Sequence, residues 1–283
     1  MKILTQKREG NRVSFEIEET FERFQKSHDK SMAAAGQEIR IAGFRPGKAP
    51  KNILEKSLNL DAVAARAAQD LIAELYPEVI EAGKIDPVDY PSVDIVQPAA
   101  QDKPFVFKLT VEVYPEVKLG KYKGLKLEKK EGDDAGLKDQ AVAAASAEAK
   151  VDIPAAMVER EINVMLDELR VSLGQSGLTL EDYLRGAKKE EKTLRDEMKK
   201  SAEIRVKGKV ILRAVGEAEK LKVSDEEIQA EVKAMGAAEE KIGPEVKKYV
   251  EEYLLRKKAL DLLIEKASVK FLDRARNKEE KKS

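Results

Sequence analysis

One short stretch, residues 41–50 with the sequence IAGFRPGKAP, carries residue types that bind nucleotide phosphates. A phosphate-binding loop has four residues between its first glycine and a Gly-Lys pair, and a Ser or Thr follows the lysine to reach Mg²⁺. Here three residues separate Gly43 from Gly47, and Ala49 stands where the hydroxyl is needed. The stretch does not have the spacing of a nucleotide site, so its glycines and prolines need another explanation.

Other residue patterns that carry enzyme chemistry are weak in this sequence. His28 is the only histidine, and its polar surroundings, SHDK, are typical of a solvated side chain. Cysteine is absent, and no histidine–carboxylate cluster has the spacing of a zinc site. The sequence also lacks a G-x-S-x-G nucleophile elbow. We therefore expect no catalytic residue, no metal and no cofactor.

Composition excludes several classes of protein. The 283-residue chain has 53 basic and 53 acidic side chains, whereas a general nucleic-acid-binding protein carries a basic excess. The N-terminal sequence MKILTQKREGNRV has no apolar signal segment, and no apolar run approaches the roughly 18 residues of a membrane span. The lack of cysteine fits a reducing compartment. The chain is expected to be soluble and cytoplasmic.

The loop at 41–50 is expected to be an exposed, restrained turn, because two glycines and two prolines limit its backbone. Such a turn projects Phe44 and Arg45, and an aromatic residue beside an arginine is the usual composition of an interface hot spot. Five basic and two acidic residues between positions 38 and 56 favour contact with RNA phosphate or an acidic protein surface. The alternative is that Phe44 folds into the core and the lysines are merely solvated.

The elements that must position this loop form an α+β domain, expected over residues 1–115. Val13, Phe15 and Ile17 alternate with polar residues, as in a half-buried strand, and residues 105–113 alternate in the same way. Thr20 is the expected N-cap of the first helix. We further expect a short strand in EIRIAGF, a short helix after Pro50, a helix over 61–82 capped by Gly83, and an edge segment in IDPVDYPSVDIVQP.

The rest of the chain has helical composition. Residues 137–270 are expected to form an all-α domain of long helical arms, with capping signals at Thr179 and Ser224 and a helix opened by Pro244. An ordinary helical bundle would show the same periodicity. Residues 116–136, which end in KKEGDDAG, are expected to be a flexible linker. Residues 271–283 are expected to be a disordered charged tail.

The loop also resembles a family signature. The motif G-F-R-x-G-K-x-P of the bacterial trigger factor family is matched by Gly43, Phe44, Arg45, Gly47, Lys48 and Pro50. The segments GNRVSFEIEE, VYPEVKLGKYKGLKLE, IPAAMVEREI, LTLEDYL and VSDEEI resemble family segments in the family's order. The resemblance extends from the N-terminus to about Val269.

The resemblance implies docking on the large ribosomal subunit at the exit of the peptide tunnel, against a ribosomal protein and neighbouring rRNA. The ribosome-binding residues that it implies are Phe44, Arg45 and Pro46 at the contact tip, with Gly43, Gly47 and Lys48 beside them. Some relatives have a basic residue at the position of Pro46, which leaves the share of Pro46 in binding open. The resemblance also allows a homodimer off the ribosome.

The resemblance further implies that the arms form a cradle around unfolded nascent polypeptides, without ATP. Methionine adapts to varied partners, so the candidate client-binding residues are Met157, Met165, Met198 and Met235, for which packing within the arms is the alternative. Family members usually carry a prolyl isomerase domain of the FK506-binding type between linker and arms. Residues 123–182 contain no aromatic side chain to line its pocket, so that domain is expected to be absent.

The resulting interpretation is a ribosome-docked, ATP-independent chaperone for nascent chains that lacks isomerase activity. The alternatives are a free holdase, a helical scaffold, a prolyl isomerase with an unrecognised site, and a related periplasmic chaperone. The periplasmic chaperone requires a signal peptide and has no need of the GFRPGK loop.

Overall fold

The computed structural model describes residues 1–45, 47–101, 103–236 and 243–272. The chain divides into two compact units, Met1–Tyr114 and Pro115–Ser283, which we call the N-unit and the C-unit. This division falls beside the boundary expected at residue 115. Of the segment expected to be a disordered tail, residues 273–283 lie outside the described residues.

The N-unit is a four-stranded antiparallel sheet with two long helices packed on one face. The strand order is β1-β2-β4-β3, so β1 and β3 are the edge strands. The elements are β1 (Lys2–Glu9), β2 (Arg12–Glu19), α1 (Phe21–Glu38), α2 (Lys51–Ser57), α3 (Leu60–Gly83), β3 (Ser92–Gln97) and β4 (Phe105–Glu112). The α+β class expected for this part of the chain is confirmed.

The core of the N-unit lies between the sheet and helices α1 and α3. Val13, Phe15 and Ile17 point into it, as their alternation predicts, and each is at most 1% exposed. Phe24 on α1 contacts Phe105 on β4, with ring centroids 5.3 Å apart. The expected N-cap of α1 is also confirmed, since the Thr20 hydroxyl accepts a hydrogen bond from a backbone N–H of the first turn. The alternation of apolar residues along the strands therefore determines which face of the sheet packs against α1. The loop at residues 41–50 follows α1 in the chain.

Two local expectations in the N-unit are wrong. The strand expected in EIRIAGF does not form, because α1 continues to Glu38 and a loop follows. Gly83 is not the left-handed cap of α3; Lys84 adopts that conformation, with φ at 50°, while Gly83 stays helical. A Cβ atom on Gly83 would lie 2.6 Å from Cζ of Phe15, so this glycine serves the close approach of α3 to β2.

The C-unit is helical, as its composition predicts, but it is not all-α, because it contains a two-stranded parallel sheet. The capping boxes at Thr179 and Ser224 and the helix opened by Pro244 are confirmed. The elements are β5 (Lys126–Lys130), α4 (Asp134–Glu148), α5 (Ala155–Gln175), α6 (Leu180–Ala187), α7 (Glu191–Ala218), α8 (Asp225–Ala234), α9 (Pro244–Glu265) and β6 (Ser268–Leu272).

The segment 116–136 is not the flexible linker that its charge and glycine content predict. Leu125 and Leu127 are buried in one apolar cluster with residues of α4, α7 and α9, and β5 pairs with β6. A Cβ atom on Gly120 would lie 2.3 Å from the backbone oxygen of Glu148, so the chain packs tightly here as well. Charged residues are interspersed with apolar ones in this segment, and Val117, Leu119 and Tyr122 pack against the same cluster as Leu125 and Leu127. The expected start of the disordered tail at residue 271 is also wrong, because residues 271 and 272 belong to β6.

A buried carboxylate lies at the junction of β2 and α1. Glu19 is 3% exposed and accepts hydrogen bonds from the Thr20 backbone N–H at 2.9 Å and from the Arg23 guanidinium at 3.2 Å. The amino group of Met1 lies 3.1 Å from the same carboxylate. Burial alone raises the pKa of Glu19, but these hydrogen bonds and positive charges outweigh it and hold the pKa below its usual range.

Glu19→Gln should lower the free energy of unfolding of the N-unit by about 2 kcal/mol at pH 7, because hydrogen bonds to a charged group are lost. Since the folded-state pKa is depressed, this contribution is complete above the unfolded-state pKa of about 4.3 and fades as the pH falls through the folded-state value. Urea unfolding of parent and variant between pH 3 and pH 7 measures the difference. A difference that stays constant down to pH 3 would contradict the assignment.

Candidate functional site

The base of the loop between α1 and α2 is anchored in a small apolar cluster. Met32 of α1, Leu54 of α2 and Val63 of α3 are buried together, and Ile41 and Ala49 of the loop pack against them. The two ends of the loop are therefore fixed to three helices. We call residues 43–48 between these anchors the tip loop.

Two successive turns shape the tip loop. The Phe44 backbone N–H donates to the Ile41 carbonyl at 3.1 Å, and the Lys48 N–H donates to the Arg45 carbonyl at 2.9 Å. Gly43 and Gly47 have φ values of +83° and +77°, which favour glycine over residues with a Cβ atom. The two turns need glycine at positions 43 and 47 for their backbone conformation. This requirement explains the spacing of the two glycines, which does not match that of a phosphate-binding loop.

The tip loop holds an aromatic side chain outside the core. Phe44 is 41% exposed and joins none of the buried clusters, while Arg45 and Lys48 are also exposed. Gly47 is tied back by its N–H, which donates to the carbonyl of Gly36 in α1 at 3.1 Å. Five of the six expected ribosome-binding residues are described by the structure, and all five lie in the tip loop. The sixth, Pro46, lies outside the described residues.

The cations around the tip loop differ in how they are neutralised. Lys51 donates to Asp29 at 2.8 Å, and this contact lowers the pKa of Asp29 and raises the pKa of Lys51. Arg40, Arg45 and Lys48 form no ion pair with any residue that the structure describes. The loop therefore presents unneutralised positive charge next to an exposed aromatic ring.

The C-unit has a separate apolar surface between α4 and α7. A groove of about 660 Å³ is lined by Val142, Ala143 and Ala147 of α4 and by Ile204 and Leu212 of α7, among others. A second cleft of about 480 Å³, between the start of α5 and α7, also includes Ile204. This second cleft is also lined by Glu159, Lys199 and Glu203 and is therefore less apolar. We call the two clefts, which share Ile204 and Lys207, the Ile204 groove. Ile204 is 63% exposed, which is unusual for an isoleucine in a long helix.

Small residues and ion pairs keep the Ile204 groove open and apolar. A Cβ atom on Gly208 would lie 2.7 Å from Val142, so glycine lets α4 approach α7 closely. Two cations beside the groove are bound to acidic groups of α5: Arg205 donates to Glu168 at 2.8 Å, and Lys209 is paired with the buried Glu161. With these two cations paired, the apolar part of the lining comes from Val142, Ala143, Ala147, Ile204 and Leu212.

The four candidate methionines do not form one site. Met165 and Met198 pack against the buried cluster of α5, α6 and α7, so packing within the helices accounts for them. Met157 is half-buried in the first turn of α5. Met235, at the C-cap of α8, is 52% exposed and is the most accessible of the four.

Within residues 1–45, 47–101, 103–236 and 243–272, no group of three or more His, Cys, Asp or Glu side chains could hold a metal ion. In the same part of the chain, no helix combines the length and the apolar character that crossing a membrane requires. His28 stacks beside Phe24 and lines an apolar cleft, so it is less solvated than its sequence neighbours indicate.

Family models cover almost the whole chain. The model described as "Bacterial trigger factor protein (TF)" matches residues 1–145, more than half of the sequence. The chain belongs to the bacterial trigger factor family. A second model, for the trigger factor C-terminus, matches residues 122–272. Membership of this family supports a chaperone role.

Individual trigger factors agree with this assignment. The protein from Moorella thermoacetica is 38% identical over 131 residues, which cover 46% of this chain and 29% of the relative. The protein from Bacillus subtilis is 23% identical over 423 aligned residues, which cover 94% of this chain and 100% of the relative. Because that alignment is longer than the 283-residue chain, the Bacillus protein has residues without a counterpart here.

One solved structure supports the fold over both units. It is a trigger factor chaperone described by its promiscuous substrate recognition in folding and assembly, and it covers 94% of this chain and 99% of its own. The TM-score is 0.61 at 14% sequence identity, so the likeness concerns the fold. The expected class of an α+β domain followed by a helical one is that of trigger factors.

The Ile204 groove was not found from the sequence. In EIRVKGK, Val206 belongs to the buried stripe of α7, whereas Ile204 lies outside that stripe among charged residues, and α4 has the alanine-rich sequence AVAAASAE. An isolated isoleucine on a charged helix and a helix of small residues were the two available signals. Their proximity in space depends on the packing of α4 against α7 and could not be read from spacing.

Proposed function

We propose that the chain is an ATP-independent chaperone that docks through its tip loop on the large ribosomal subunit at the tunnel exit and shields nascent polypeptides with its C-unit. The observation that carries the proposal is the tip loop itself, in which Phe44 and Arg45 are exposed on a base held by three helices. Family membership supports the chaperone role. Such a protein would act in the bacterial cytoplasm.

The composition of the tip loop suits a ribosomal surface that combines protein and rRNA. Phe44 offers an apolar ring that can fill a pocket on a protein, and Arg45 and Lys48 offer charge to phosphate groups. Because Arg40, Arg45 and Lys48 have no ion-pair partner among the described residues, binding need not break an internal ion pair at those positions. The preformed turns limit the entropy lost on docking.

Clients are proposed to contact the Ile204 groove. An open apolar surface can hold an exposed hydrophobic side chain of an unfolded polypeptide without reading its sequence. The groove is open to solvent and several of its lining residues are alanines, which bury little apolar area each, so binding is expected to be weak and reversible. Met235 remains a candidate client contact because it is exposed, whereas Met165 and Met198 are assigned to packing.

The proposal assigns no isomerase activity to the chain. The turn between β5 and α4 is short, with the Asp133 N–H donating to the Lys130 carbonyl at 3.1 Å and Gly132 at a φ of +76°. We place the additional residues of longer family members at this exposed turn, where inserting a domain disturbs little of the surrounding packing. Proline-limited refolding assayed with and without the chain tests this assignment.

Ile204→Glu should reduce the suppression of client aggregation at least threefold, because a carboxylate would have to be desolvated beneath the apolar client segment. The measurement is light scattering of a denatured client diluted into increasing concentrations of the chaperone. Val171→Glu is the matched control, since Val171 is 64% exposed on α5 and does not line the groove.

Equal activity of the two glutamate variants would remove the groove from the proposal. Far-ultraviolet circular dichroism and thermal unfolding establish first that both variants are folded. Ile204 and Val171 are exposed, so both substitutions should change the free energy of unfolding by no more than about 0.5 kcal/mol.

A further inference from the structure

The two edges of the N-unit sheet are protected very differently. β1, with the sequence KILTQKRE, carries four charged residues in eight, which is a common way to prevent edge-to-edge pairing. β3, with the sequence SVDIVQ, carries only Asp94. Among the described residues of the N-unit, β3 pairs with β4 on one side and with no strand on the other. Its outer backbone donors and acceptors are therefore open to a further strand.

The open edge is also apolar on the side that faces the helices. Val93 lies opposite Leu109 and Ile95 lies opposite Phe107 in the pairing of β3 with β4. Leu109 and Phe107 are 0% exposed, whereas Val93 and Ile95 are 39% and 52% exposed. Residues directly opposite each other share a face of the sheet, so the apolar face continues past the edge of the helix cover.

A cleft of about 420 Å³ lies where this face meets α1 and α3. Its walls include Phe21 and Phe24 of α1, Ala64 and Ala68 of α3, and Ile95 of β3. A strand added beside β3 would direct every second side chain to this same face. The edge supplies backbone hydrogen bonds that are independent of sequence, and the cleft supplies a place for apolar side chains.

The dimensions favour a peptide segment over a second copy of the chain. The six residues of β3 span about 20 Å, and a strip of that length and about 10 Å in width covers roughly 200 Å². A stable protein interface needs about 800 Å² on each partner. An extended segment can bind and leave such an edge rapidly, and it needs no complementary folded surface.

We propose that the β3 edge binds extended apolar segments of unfolded polypeptides by strand addition, with alternate side chains directed to the cleft. This inference rests on the proposed chaperone function and gives it a second client site, located in the N-unit. The occupant is a segment with alternating apolar and polar residues that is free of proline at the positions that pair with β3.

The test uses the full chain and a fluorescent 12-residue peptide with alternating valine and threonine. Ile95→Lys should weaken peptide binding at least tenfold in fluorescence anisotropy, because the lysine places charge on the apolar edge. Leu4→Lys is the matched control, since it adds the same charge to an exposed position, 38% accessible, on the opposite edge strand. It should change the affinity less than twofold.

Two further measurements sharpen the result. A peptide in which prolines replace alternate residues should not bind, because it lacks the N–H donors that strand addition requires. Hydrogen exchange should show slower exchange in residues 92–97 when the valine–threonine peptide is bound. Unchanged exchange in this segment with peptide bound would overturn the inference.

The outcomes separate this inference from the proposed function. If parent and Ile95→Lys bind the peptide equally while Ile204→Glu loses it, the β3 edge is not a client site and the chaperone proposal stands. If the parent binds no peptide and also fails to suppress aggregation, both are overturned. A mass that doubles with concentration, together with protection of residues 92–97 without peptide, would assign the edge to a second copy.

Discussion

Replacing Phe44 and Arg45 together by alanine should abolish most of the co-sedimentation of this chain with bacterial ribosomes. Each is exposed on a fixed loop, and an interface anchor of this type contributes about 2 kcal/mol, or roughly a 30-fold change in affinity. The measurement is pelleting with purified ribosomes at moderate salt over a range of chaperone concentrations. Raising the salt should weaken ribosome binding of the parent more steeply than that of the variant, which has lost a cation proposed to contact phosphate.

The control is a second double variant, Tyr90→Ala/Lys108→Ala, which removes an exposed aromatic side chain and an exposed cation elsewhere in the N-unit. Tyr90 is 90% exposed, and Lys108 lies on β4 away from the tip loop. This control should pellet like the parent. If both double variants pellet alike, docking does not depend on the tip loop; if the parent itself stays in the supernatant, the ribosomal part of the proposal fails.

Leu127→Ala should lower the free energy of unfolding of the C-unit by about 2–5 kcal/mol, the cost of a large-to-small substitution in a packed core. Leu127 is 2% exposed and lies in one cluster with Ala141, Ile211 and Leu263. Urea unfolding monitored by circular dichroism measures the loss. A flexible linker at 116–136 would instead tolerate the substitution without a measurable change.

Lys126→Ala is the internal control for this experiment. It changes the neighbouring residue of β5, which is exposed, and should alter the free energy of unfolding by no more than about 0.5 kcal/mol. Similar small effects for both variants would restore the linker interpretation and remove β5 from the core of the C-unit.

The difference between linker and strand shows where sequence reasoning stops. Alternation in β2 and β4 was enough to identify buried faces, because long strands repeat the pattern several times. β5 has five residues, KLEKK, with one buried leucine, and its partner β6 lies far away in the sequence. The charged residues and glycines near 131–136 predicted a flexible segment. The strand that orders it, β6, is too distant in the sequence to be inferred from local composition.

The candidate site was predictable to a similar degree. Gly43 and Gly47 indicated a restrained turn, and the structure has both at positive φ with Phe44 exposed between them. Ile41 anchors the base of the loop, whereas the sequence predicted a strand at this position. A single half-buried isoleucine is compatible with a strand and with an anchored loop, so the pattern could not distinguish the two. The β3 edge was expected as an edge segment, but its exposed apolar face appears only once α1 and α3 are seen to stop short of it.

The parallel pairing of β5 with β6 has a consequence for how this protein is made. The N-unit ends at Tyr114, whereas β6 ends roughly 160 residues later, a delay of about 8–30 s at the usual 5–20 residues per second of translation. Until β6 emerges, β5 lacks its partner strand and the cluster around Leu127 is incomplete. During that interval the unfinished chain is itself a growing polypeptide with uncovered leucines. Under the proposed docking at the tunnel exit, an older copy bound to the same ribosome would be the nearest protection available to it.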